Sequence, residues 1–505
     1  MKKTIAMLLS TLMLVSALTA CGTTATETAE EENNAVAETV ETAETEETST
    51  EETTTEETES PQPPEGDFPG EPPEGNPPGD PPDGMGQPGG GPGGAPGGGS
   101  SDVTYTASTT ITSADSQSGE TYASTTADES ALLISTDGEV TITNATVTKT
   151  GDSDGGDNCN FYGLNAAVLA KDGATVNISG ANITSDADGA NGVFSYGGNG
   201  GQNGAAGDGT TVNISDSTIT TTGDGSGGIM TTGGGITNAT NLTVTTSGRS
   251  SAAIRTDRGG GTVNVSGGTY TTNGLGSPAI YSTADVTVND AELISNLSEG
   301  VCIEGLNSIT LNDCDLTADN TKCNGNATFL DSIMIYQSMS GDADSGTSTF
   351  TMTDGSLKSK SGHVFHVTNT SAVITLNDVD IINEDADNIL LSVCDDGWSG
   401  GENTATLKAV DQTLNGAIKV GDNSTLTLEL TEDSNFTGSI DGNIVNASGE
   451  TVSTETGTVQ VTLDESSTWT LTGDSYVTEF TGNAENVISN GYTLYVNGVA
   501  LTGTK

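Results

Sequence analysis

The stretch TVNISDSTIT that begins at Thr211 is written almost unchanged at Thr175 (TVNISGANIT) and at Thr262 (TVNVSGGTYT). The shared pattern is apolar-x-apolar, then Ser, Asn or Thr, then Asp, Gly or Asn, then two free positions and another apolar residue. It recurs at 140–147, 176–183, 212–219, 263–270, 286–293, 309–316, 350–357 and 374–381, with weaker copies from Thr237 and Leu407. The starts at 237, 263, 286 and 309 lie 26, 23 and 23 residues apart, and the wider gaps read as one coil plus an inserted loop. Alternation with period two specifies strands. The Asp/Gly/Asn position, Asp216 or Asp290 for example, suits a left-handed backbone that turns the chain between two short strands. A third strand follows at offset 17, through Val193, Ile229, Ile254, Ile280, Ile303 and Val367. Three strands and three turns make one rung. A single rung cannot bury its own apolar face, so rungs must stack about 4.8 Å apart into a solenoid.

The repeat occupies only part of the 505 residues. Residues 1–20 carry Lys2 and Lys3 before an apolar run, and they read as a secretion signal too short to be a durable membrane span. The sequence Leu18-Thr19-Ala20-Cys21 resembles the lipobox of bacterial lipoproteins, which implies cleavage before Cys21 and a diacylglycerol on its sulfur. The expected location is therefore the bacterial cell membrane, held by lipid and exposed at the cell surface. Residues 21–101 are first rich in Thr and Glu, then in Pro and Gly, and lack the apolar groups to offset the entropy of ordering. They read as a disordered tether. Residues 102–440 hold the solenoid. Residues 441–505 carry aromatic-rich strands, including STWTLTGDSYVTEF, that cap it. Trp469 and Tyr476 are expected to be cap packing.

Charge narrows the partners. Acids outnumber bases 70 to 13, and removal of Lys2 and Lys3 with the signal leaves 11 − 70 = −59. Such a chain is repelled by nucleic acid and by anionic lipid, so the membrane contact is through the N-terminal lipid only. Five further Cys, at 159, 302, 314, 323 and 394, cannot all pair internally, match no zinc spacing, and read as small buried hydrophobes.

From about Asp102 to about Ile440 the chain resembles the right-handed parallel β-helix, or pectin-lyase-like, superfamily. The whole molecule is similar to the adhesin-like β-helix lipoproteins of bacterial surfaces. The expected fold is thus all-β, a right-handed parallel β-helix with a capping C-terminal β region. The resemblance implies that an enzyme of this fold would be a polysaccharide lyase, using Asp or Glu with Ca²⁺ and a Lys or Arg base, or a hydrolase using a carboxylate pair.

All three Arg fall in GRSSAAIRTDRGGG, as Arg249, Arg255 and Arg258. With Ile254 inward, Arg255 points outward in a column with Phe194, Met230, Tyr281 and Glu304. Tyr196 and Asp257 lie two residues further along. Sugar rings stack on aromatic faces, and Arg and carboxylates make charge-assisted bonds to hydroxyls. Phe194, Tyr196, Arg255, Asp257, Tyr281 and Glu304 are therefore the candidate ligand-binding residues for a polysaccharide or a cell-surface glycan. A solvated face with internal ion pairs is the competing reading. In GDSDGGDN, Asp152, Asp154 and Asp157 are candidate Ca²⁺ ligands, although short Asp/Gly runs also serve simply as turns. No other cofactor is required. His363 and His366 are three apart on a strand and are expected on opposite sides. Three functions remain open: an adhesin or glycan-binding module, favoured by the scarcity of bases; a lyase or hydrolase; and a passive stalk.

Overall fold

The structure, a computed structural model, describes residues 103–505 except Asp154, residues 200–205 and Ser399. The signal, Cys21 and the tether lie outside the described residues. Among those described, the chain is a parallel β-helix. The third strands of successive rungs form one 13-stranded sheet, and most of the other strands join a 20-stranded sheet. Neighbouring rungs pair in parallel and in register, as in Thr211 to Ser215 on Thr175 to Ser179.

The alternation places one side chain per rung in a continuous inward column. It runs from Val140 through Val176, Val212, Thr237, Val263, Val286, Ile309, Phe350, Ile374, Leu407 and Leu428 to Val461. Its polar member, Thr237, is satisfied by Thr231 Oγ1 at 2.6 Å. The turn position behaves as its residue type dictates: φ is +47° at Asp216 and +53° at Asp290, a region that Asp, Asn and Gly tolerate best. On the outer side, Asn177, Asn213, Asn238 and Asn264 form an amide ladder in which the Nδ2 of each of the last three donates to the Oδ1 of the Asn one rung before it at 2.8–2.9 Å.

Parallel pairing continues beyond residue 440, through Leu426 on Val459 and Trp469 on Val487. The stack then ends on a small sheet. Ser475–Val477 pairs in parallel with Leu494–Val496, which turns back antiparallel onto Val499–Ala500. Asn497 and Gly498, at φ +47° and +76°, supply the two left-handed residues that a two-residue hairpin turn of this kind needs.

Candidate functional site

The outward column on the 13-stranded sheet is real, but it is not a solvated face. It runs Thr110, Leu133, Leu169, Phe194, Met230, Arg255, Tyr281, Cys302, Met334, His366, Ser392, Lys419 and Asp441. At the N-terminal end Phe194 is fully buried, in a cluster with Leu133, Ala166, Leu169 and Met230. Gly163 lies so close that a β-carbon there would stand 3.0 Å from the Phe194 ring. Phe194 is therefore packing, not a sugar platform. Tyr196 is half-buried, edge-on to Tyr162 at 5.8 Å. The cover is the insertion after Lys149, whose short helix Asp157–Phe161 reaches across the column. Thr232 Oγ1 donates to Phe161 O at 2.8 Å, and Asn191 Nδ2 to Cys159 O at 3.2 Å.

Four of the six candidate residues do converge. Arg255 donates from Nη2 to Asp257 Oδ2 at 3.1 Å, and from Nη1 to Ser250 O at 2.9 Å and Asn160 Oδ1 at 3.2 Å. Its guanidinium carbon lies 5.9 Å from the Tyr281 ring centre. The Tyr281 hydroxyl donates to Glu304 Oε2 at 2.6 Å, and Tyr336 donates to the same oxygen at 3.2 Å. Ser338 donates to Glu304 Oε1. Arg258 pairs with Asp342 at 2.7 Å, with its guanidinium 4.0 Å over the Phe161 ring. Glu304 is two residues out of the expected column: Cys302 pairs with Tyr281, and Glu304 pairs with Tyr336. Asp257 and Glu304 are buried, and only 12 % of the Arg255 side chain is exposed.

Burial pushes Asp257 up to about 7, although the Arg255 guanidinium pulls it down. Burial also raises Glu304, against the hydrogen bonds from Ser338 and Tyr281. A carboxyl group placed as Asp257 is can carry a proton near neutrality. In this arrangement the two carboxyl groups tie together the sheet, the helix of the insertion and the 337–346 loop. Asn160, Tyr336 and Ser338 were not legible as members. Asn160 lies in the short helix of an insertion and Ser338 past a strand end, where no period assigns a direction, and Tyr336 ends a strand that follows no copy of the repeat.

One further expectation changes. His363 and His366 lie on the same side: both Nδ1 atoms stand 2.7 Å from Ser392 Oγ. Val364 and Phe365 both enter the core, which consumes two successive residues on one side and lets positions three apart share the other. His366 Nε2 faces Asp396 Oδ2 at 3.3 Å, and Phe329 stacks on the His366 ring at 4.6 Å. Asp152 Oδ1 accepts the Asp188 amide at 3.0 Å, Asp157 starts the short helix, and Asp154 lies outside the described residues. Among the described residues no group of three or more His, Cys, Asp or Glu is arranged to hold a metal. Four of the five Cys are buried, Cys323 is half-buried, and none is in a disulfide.

The His pair carries a pH prediction. Burial, and next the neighbouring His366, lower His363 to about 3, against 6.5 when free. The unfolded chain therefore binds a proton between those values that the folded chain refuses, and stability falls as pH falls from about 6.5. At pH 5 this term amounts to about 2 kcal/mol. Urea midpoints at pH 7 and pH 5 should separate less in His363→Gln than in the wild type. An equal separation would show that His363 does not titrate on unfolding.

The site and fold define a parallel β-helix with a covered polar network on its 13-stranded face. No protein-family model matches the chain, and no curated protein or solved structure was found similar to it.

Proposed function

We propose that the protein is a lipid-anchored surface module that binds glycans through its C-terminal cap. One observation carries the reading. Tyr476 and Tyr495 stack in register, with ring centres 5.2 Å apart and planes at 8°. Tyr476 and nearby Tyr492 are each 43 % exposed, whereas the aromatics of the Phe194 column are covered. Ala500 follows Tyr495 in the ladder, and Tyr495 itself is half-buried. Flat aromatic faces with a polar hydroxyl suit the apolar faces of sugar rings. The net charge of −57 disfavours polyanionic chains, so neutral or amino-sugar glycans are the expected class. The tyrosines stand in the small sheet that ends the stack.

Tyr476→Ala and Tyr495→Ala should each weaken glycan binding about tenfold, the equivalent of one aromatic contact, while the melting temperature changes little. Array binding followed by calorimetry on the wild type and both variants would test this. Binding to no glycan, or binding indifferent to both substitutions, would favour the passive stalk. The raised Asp257 and Glu304 favour a hydrolase as the second reading. It requires the Asp157–Phe161 cover to open, and it predicts new reducing ends from a glycan substrate. The anchor has its own test: Cys21→Ala should release the protein into the medium, and unchanged membrane fractionation would refute the lipid.

A further inference from the structure

Lys149 is a fully buried lysine. It ends the strand Thr146–Lys149 with its side chain inward, at a place where the flanking rungs carry Ser124 and Ser185. Its Nζ donates to Thr126 O at 2.9 Å and to Gly151 O. Asn165, equally buried, stands at the far end of the insertion that begins after Lys149. Asn165 Nδ2 donates to the same Gly151 O at 2.9 Å and to Asp188 O at 3.1 Å. Its Oδ1 has no partner. An amine and a carboxamide, both sealed from water, thus meet on one carbonyl oxygen. A carboxylate lies on the Lys149 side: Ser124, the ladder partner of Lys149, donates to Glu129 Oε1 at 2.8 Å, and the Glu129 charge acts on the Lys149 amine.

We propose that Lys149 and Asn165 join through an intramolecular isopeptide bond. The chemistry balances without an oxidant or a co-reactant. The Lys149 Nζ lone pair attacks Asn165 Cγ, and the Cγ–Nζ bond forms. Glu129 accepts a proton from Nζ and returns it to Nδ2, the Cγ–Nδ2 bond breaks, and ammonia leaves. The uncharged amine is the nucleophile, and burial lowers the Lys149 pKa toward that form. The product closes the insertion at its base, with the helix that covers Phe194 and Arg255 inside the loop.

Intact-mass measurement and protease mapping of the full-length chain test the link. The expected result is a mass deficit of one ammonia and a branched peptide joining the Lys149 and Asn165 segments. Lys149→Arg and Asn165→Ala should each abolish both signals, and Glu129→Gln should leave an unlinked fraction. Because the wild type alone decides the matter, poor folding of a variant does not obscure it. Linear Lys149 and Asn165 peptides from the wild type, with or without an ammonia loss elsewhere, would overturn the proposal.

Discussion

Arg255→Asp is expected to cost about 3–5 kcal/mol, the range for breaking one side of a buried ion pair. Its outward direction alone would suggest a tolerant surface position. Yet the guanidinium makes three hydrogen bonds, to Asp257, Ser250 and Asn160, and is largely enclosed. The substitution orphans those acceptors and adds a carboxylate beside Asp257, which burial already pushes up. Arg255→Met keeps much of the apolar stem and lets Asp257 take a proton, so it should cost less. Ile254→Asp, one residue away and fully buried, should cost several kcal/mol for a different reason, a carboxylate in the aliphatic stack. Urea midpoints near pH 7 for the three variants check this ordering. Arg255→Asp within about 0.5 kcal/mol of wild type would place the side chain in solvent, as surface changes behave.

The inside of this molecule was legible because a solenoid writes its core once per rung. Val176, Val212 and Val263 announce the inward column, and Asp216 and Asp290 announce the turn. What lay beyond one rung was not. A constant offset placed Glu304 next to Tyr281. However, seven residues separate the strands ending at Thr272 and beginning at Ile280, whereas five separate those ending at Ser295 and beginning at Val301. The shorter turn moves the register by two, which keeps Glu304 outward but sets it in the neighbouring column. Alternation also reports only which way a side chain points. Whether Phe194 meets water depends on the 151–167 insertion; the repeat spacing showed that a long insertion stood there and could wall the stripe, but its residues follow no period that would show it closing over Phe194. The tyrosine pair had a faint signal, since Tyr476 and Tyr495 each sit mid-strand, but their register needed the rung spacing of the cap.

Trp469→Ala should be the most damaging change in the C-terminal region. Trp469 is fully buried and stacks on Phe436 with ring centres 5.5 Å apart and planes at 27°. Its Nε1 donates to Gly438 O at 3.0 Å. Truncation leaves a cavity worth about 3–5 kcal/mol and strips that carbonyl of its partner, at about 1–3 kcal/mol when buried. The position matters as much as the energy. Phe436, Trp469 and Val487 belong to consecutive rungs of one four-stranded parallel sheet, just below the hairpin that ends the stack. Loosening them frees strand edges, that of Val487–Ile488 being covered only by the backbone of Lys505, and open parallel edges recruit other chains. Rungs contact mainly their neighbours, so the damage should begin at this end and spread inward. Limited proteolysis should therefore cut the variant first after about residue 435, and size-exclusion chromatography should detect oligomers absent from the wild type. Tyr476→Ala, in the same cap but substantially exposed, should do neither. A Trp469→Ala protein that stays monodisperse with an unchanged midpoint would mean that the stack is held closed without its last rungs.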